Sequence, residues 1–132
     1  SMADLDDDGD LDIVVNNLNS PAQLFENRLC DGDSLLVDLR WTGAGNPAAL
    51  GAELALQSGE DRIVRTVRAG SGYLSGDPGR VHFGIGEAHE PLLLTVRWPD
   101  GLVSQISPVA PNTRLMVTRT QALLADGGNE AP

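Results

Sequence analysis

The sequence predicts an all-β fold, an antiparallel β-sandwich of the immunoglobulin-like or jelly-roll-like kind with a short hairpin fragment ahead of it. Three observations carry this. Apolar segments are short and alternate with polar residues, as in Val37-Asp38-Leu39-Arg40-Trp41 and Leu94-Thr95-Val96-Arg97-Trp98. Turn clusters such as Gly43-Ala44-Gly45-Asn46-Pro47, Gly76-Asp77-Pro78-Gly79 and Pro99-Asp100-Gly101 separate them at sandwich-like spacing. No window sustains the 3.6-residue apolar period of an amphipathic helix.

The elements follow in chain order. Leu11 to Val15 is apolar and β-branched, and Asn16-Asn17-Leu18-Asn19-Ser20-Pro21 is a turn cluster before a second short stretch, Gln23 to Glu26. The pair reads as a hairpin or two edge strands. Seven strands are then expected: Leu35–Trp41, Ala52–Gln57, Ile63–Arg68, Val81–Phe83, Leu92–Trp98, Leu102–Ile106 and Leu115–Thr118. Two stacked sheets bury the alternate side chains of such a set. Any helix is a terminal fragment around Thr120 to Leu124, and the polar end, Asp126 to Pro132, is expected to fray. The domain reading is therefore 1–30 for the hairpin fragment, 34–120 for the sandwich and 121–132 for a flexible tail.

The 132 residues make one domain's length of chain, and 9 basic against 19 acidic side chains give a net charge of −10. That acidity, with the arginines scattered singly, argues against nucleic acid. No apolar run approaches the roughly 20 residues that cross a bilayer. Lysine is absent, which removes Schiff-base and phosphate-loop lysines from consideration. A single cysteine, Cys30, allows neither an internal disulfide nor a multi-cysteine zinc site. Ser1-Met2 lacks the basic and apolar regions of a signal peptide and reads as a cloning scar.

Six of the 13 aspartates lie between Asp4 and Asp12. In Asp4-Leu5-Asp6-Asp7-Asp8-Gly9-Asp10-Leu11-Asp12 the acidic side chains occupy loop positions 1, 3, 5 and 9, with glycine at 6. Clustered carboxylates repel one another unless a cation is bound. Calcium takes six to eight oxygens, which Asp4, Asp6, Asp8 and Asp12 supply as carboxylates and Asp10 as a carbonyl. The bland alternative is a solvated acidic turn. An EF-hand lacks support, because no glutamate stands at position 12 and a strand follows. Magnesium suits so protein-rich an oxygen set less well.

A D-x-D-x-D-G-x-x-D loop running into Leu11-Asp12-Ile13-Val14-Val15-Asn16-Asn17 resembles the calcium loop and following strand of an FG-GAP or VCBS repeat, the blade unit of integrin-type propellers. From about Ser34 the chain resembles the ASPIC/UnbV domain, through Gly51-Ala52, Arg65-Thr66-Val67-Arg68-Ala69-Gly70-Ser71-Gly72-Tyr73-Leu74-Ser75, Val81-His82-Phe83-Gly84-Ile85-Gly86 and Val96-Arg97-Trp98-Pro99-Asp100-Gly101. The resemblance implies calcium as cofactor, an extracellular or cell-surface setting, attachment to an upstream β-propeller, and a role as an accessory module, with enediyne antibiotic biosynthesis as one setting. The ligand, protein or small molecule or glycan, stays open, as does oligomerisation.

Three other constellations carry chemistry. His82, flanked by Val81 and Phe83, is expected on the opposite strand face from both, as a structural histidine or, with Tyr73 and an acid such as Asp77, as part of an enzyme pocket for a polyketide or glycosylated substrate. Arg68, Ser71, Tyr73 and His82 are candidates for a ligand loop, since small residues admit close backbone approach and Tyr73 offers a stacking face. Gly84-Ile85-Gly86 has no third glycine at the dinucleotide-binding spacing and is expected to be a turn. Trp41 and Trp98 read as core or rim packing ahead of a sugar-stacking platform, and Cys30 has no neighbour in sequence that would activate its thiol.

Overall fold

The computed structural model describes residues 1–6, 8–28, 32–70, 76, 79–89 and 91–120. Ten strands are present among them: β1 Met2–Ala3, β2 Asp12–Val15, β3 Gln23–Phe25, β4 Asp33–Thr42, β5 Glu53–Ser58, β6 Asp61–Thr66, β7 Val81–Gly86, β8 Leu92–Arg97, β9 Val103–Val109 and β10 Thr113–Thr120. The expected all-β architecture is what the chain forms. A small sheet ordered β1-β2-β3 precedes two larger ones, ordered β10-β4-β7 and β6-β5-β8-β9.

Alternation explains the core. Leu35, Val37 and Trp41 of β4, Leu54 and Leu56 of β5, Phe83 of β7, Leu94 and Val96 of β8 and the following Trp98 are all buried in one cluster between the two larger sheets. Each such side chain contributes about 1.5–3 kcal/mol by leaving water. The intervening residues face outward. On the outer face of β4, Asp38 accepts from Arg80 at 3.3 Å and from Arg114 of β10 at 2.8 Å.

One strand pairing departs from the antiparallel expectation. β10 runs parallel to β4 over eight positions, from Thr113 beside Leu35 to Thr120 beside Thr42. Asn112 fixes this entry: held at a φ of 54°, it donates its backbone N–H to Ser34 O, accepts from Ser34 N through its side-chain oxygen at 2.9 Å, and donates Nδ2 to Asp33. A side chain that tolerates the left-handed region thus replaces a tight hairpin.

A second correction concerns Gly84-Ile85-Gly86, which is strand and not turn. The ladder continues because the register shifts between Asp33 and Ser34, pairing Ser34 with Gly84 and Asp33 with Gly86. Such a bulge accommodates glycine readily, and Ile85 still packs against the core. Thr120, expected to open a helix, ends β10; residues 121–124 lie outside the described residues.

Candidate metal loop and the adjoining cleft

β1 pairs with β2 through Met2–Ile13 and Ala3–Asp12, so residues 4–11 form the loop of a hairpin. Gly9, at a φ of 97°, lets the chain reverse inside it. Ligand oxygens of Asp4, Asp6 and Asp8 consequently lie within 4.8 Å of one another. Oxygens around one calcium, each about 2.3–2.6 Å from the ion, span a comparable distance.

Backbone N–H groups brace these carboxylates. Asp4 Oδ2 accepts from Gly9 N at 3.2 Å, Asp6 Oδ1 from Asp8 N at 3.4 Å, and Asp8 Oδ1 from Asp10 N at 2.9 Å. Asp4 Oδ1 is buried and, among the described residues, has no hydrogen-bond partner. Loss of solvation, followed by the like charges of Asp8 and Asp12, pushes the Asp6 carboxyl above its ordinary value.

Asp12 stands apart from this triad. It is 2% exposed, and its two oxygens accept from Leu5 N at 3.0 Å and Asn27 N at 2.8 Å, tying the loop to the end of β3. Asp10 is half-buried and meets the triad through the N–H that braces Asp8. Asp7 lies outside the described residues.

The loop docks on the sandwich through His82. As alternation anticipates, the ring lies on the outer face of β7, beside Leu36 of β4, and its Nε2 is 2.6 Å from Gly9 O. The carbonyl accepts, so Nε2 carries the proton. Among the described residues, His82's hydrogen-bond partner is thus a backbone carbonyl, not an acid or a nucleophile. Ser71, Tyr73, Ser75, Asp77 and Cys30 lie outside the described residues.

His82 and Arg68, two of the four ligand-loop candidates, border a common cleft of about 460 Å³. It is bordered by residues of β6, β7 and the chain flanking them and, on one side, by the N-terminal hairpin, through Met2, Ala3, Asp4 and Leu11. Arg65 and Arg80 line it as well. The sequence carried no local sign that these arginines would converge, because fourteen residues separate β6 from β7 in the chain.

The tryptophans are core residues. Trp41 and Trp98 are 7% and 2% exposed, with centroids 6.1 Å apart and rings tilted by 55°. The Arg119 guanidinium lies 5.2 Å from one ring and 5.4 Å from the other, while both its terminal nitrogens bind Asp100. This arrangement fills the space that a stacking sugar would need.

No curated protein matches the chain. A family model described as ASPIC and UnbV matches residues 42–124, from the end of β4 through β10, and so covers the cationic side of the cleft, His82 and both ends of the Arg119 clamp. With well over half of its length matched, the chain belongs to the ASPIC/UnbV family.

Proposed function

We propose that this chain is a non-catalytic binding and accessory module whose aspartate loop closes on a calcium ion and thereby fixes the N-terminal hairpin to the sandwich. The observation that carries the reading is Asp4 Oδ1, a buried carboxylate oxygen without a partner among the described residues, beside the converging Asp6 and Asp8. A buried unsatisfied anion is costly unless a cation completes it. The donor set fits a hard ion: Asp4, Asp6 and Asp8 would hold it, and the ion would supply the positive charge that the loop lacks. With the Gly9 carbonyl already bound to His82, a loop ordered by calcium presents a fixed hairpin to whatever the module binds. The loop resembles that of an FG-GAP or VCBS repeat, and sites of such modest ligand number are filled where calcium is millimolar, outside the cell. Within the family, an accessory role in enediyne biosynthesis is the biological setting this reading suggests.

Calorimetric titration with calcium, paired with thermal melts in calcium and in chelator, tests it. Saturable binding and a raised Tm are expected, with both lost in Asp6→Ala plus Asp8→Ala. Absence of binding at millimolar calcium, or unchanged affinity in the double variant, would reject the assignment.

A second reading, a cap on an upstream propeller, is favoured by a row of cross-strand neighbours. Met2, Ile13 and Phe25 lie side by side across the small sheet and are 49%, 44% and 52% exposed. A longer native chain that includes the preceding blade should melt in one transition and protect these three residues; two independent transitions would reject the cap.

A further inference from the structure

We infer that the cleft between β6, β7 and the N-terminal hairpin is a binding site for a small organic anion, a molecule with an apolar body and a terminal carboxylate. The floor is apolar: Leu36, Val67 and Val81 are 8%, 3% and 8% exposed, and Val64, Met2 and Leu11 extend it to the rim. The rim is cationic. Three of the chain's nine arginines, Arg65, Arg68 and Arg80, border this one hollow, together with His82. In a molecule of net charge −10, that concentration of positive charge over an apolar floor selects for sign as well as for shape.

The cations differ in what else they do. Arg80 is held by Asp38. Arg65 lies over the Phe83 ring at 6.0 Å and donates NH1 to Val64 O. Arg68 is exposed and, among the described residues, makes no ion pair. Among the described residues the one acidic member of the lining is Asp4, whose Oδ2 accepts from Gly9 N, whose Oδ1 is buried, and which belongs to the aspartate loop. Arg68 is therefore the guanidinium left to take a carboxylate, in the two-pronged geometry that this group favours. At about 460 Å³ the hollow is within the usual range of small-molecule sites, and too small for a folded partner. Backbone amides of Val64, Val81 and His82 border the floor and report its occupation.

This inference does not depend on the cation reading, and its test is run in chelator. The full chain, labelled with nitrogen-15, is titrated with 2-naphthoate and, separately, with 2-naphthamide, its uncharged counterpart of the same shape. Naphthoate is expected to bind saturably with shifts centred on Val64, Val81 and His82, and naphthamide about tenfold more weakly, the difference made by one charge-assisted contact. Arg68→Gln should bring naphthoate down to the naphthamide level and leave naphthamide unchanged. Val64→Trp, at an exposed rim position, should block both. Equal binding of the two probes, shifts centred elsewhere, no binding of naphthoate, or undiminished naphthoate binding in either variant would overturn the proposal; amide spectra of the unliganded variants confirm that each is folded.

Discussion

Replacing Gly9 by alanine isolates what the aspartate loop needs from its backbone. Gly9 has a φ of 97°, a region that side chains with a Cβ occupy at a cost of about 1–3 kcal/mol. The structure adds a second obstacle, because a Cβ built at Gly9 would stand 2.6 Å from Ser34 Oγ on β4. Both obstacles oppose the backbone turn through which Asp4, Asp6 and Asp8 converge. Calcium affinity should then drop roughly 5- to 150-fold, read by calorimetric titration. The double change Gly9→Ala with Ser34→Ala separates the two contributions: without Oγ the nearest atom is the residue 34 Cβ at 3.6 Å, an ordinary contact, whereas the backbone penalty remains. Partial recovery is therefore expected. An affinity for Gly9→Ala within twofold of the parent would refute the argument that loop conformation and ion binding are coupled.

Further expectations concern the body of the fold. Phe83 is fully buried between the sheets, and Phe83→Ala should cost about 3–5 kcal/mol in urea unfolding; a loss below about 1 kcal/mol would mean that the sheets do not meet there. Arg119, whose side chain is 18% exposed over the two tryptophans, should lower the Tm on replacement by alanine clearly more than Arg28, 79% exposed and ion-paired with Glu26; equal effects would remove the stacking account. The hydrogen bonds from Arg119, chiefly, hold the Asp100 carboxyl below 3.8, so its stabilising contribution is present above that value and disappears as pH falls below it, which a carboxyl-detected NMR titration measures. Asp6 has the opposite sign. Its raised carboxyl favours the folded state below 3.8 and loses that contribution as pH rises, so Asp6→Asn should raise the Tm at pH 7 in chelator and lower it in saturating calcium.

Alternation made most of the sandwich legible. Val37-Asp38-Leu39-Arg40-Trp41 gives the inward and outward faces of β4 directly, and the flanks of His82 placed its ring on the outer face of β7. What alternation does not encode is the partner. β10 has the same period whether it lies parallel or antiparallel, and the choice rests on Asn112 reaching Asp33 and Ser34, residues nearly eighty positions away. Asp12 shows the same limit within one loop: spacing placed it among the ligands, but only the folded hairpin brings Leu5 N and Asn27 N to its oxygens. The two residues of Met2–Ala3 are too few to carry a periodicity, so their pairing with Ile13 and Asp12 of β2 is visible only in the fold. The gathering of Arg65, Arg68 and Arg80 at one cleft brings together β6 and β7, which lie fourteen residues apart in sequence. Arginines in isolation say nothing of that.

The parallel register of β4 and β10 also determines how the domain answers a pull. The start of β4 and the end of β10 lie at opposite extremities of their shared ladder, since Leu35 faces Thr113 and Thr42 faces Thr120. Force applied through those two points slides the strands along each other, so the eight paired positions bear load together and do not peel away one by one. Forced rupture is governed by the unfolding rate, and this shear geometry makes the ladder between β4 and β10 a mechanical clamp.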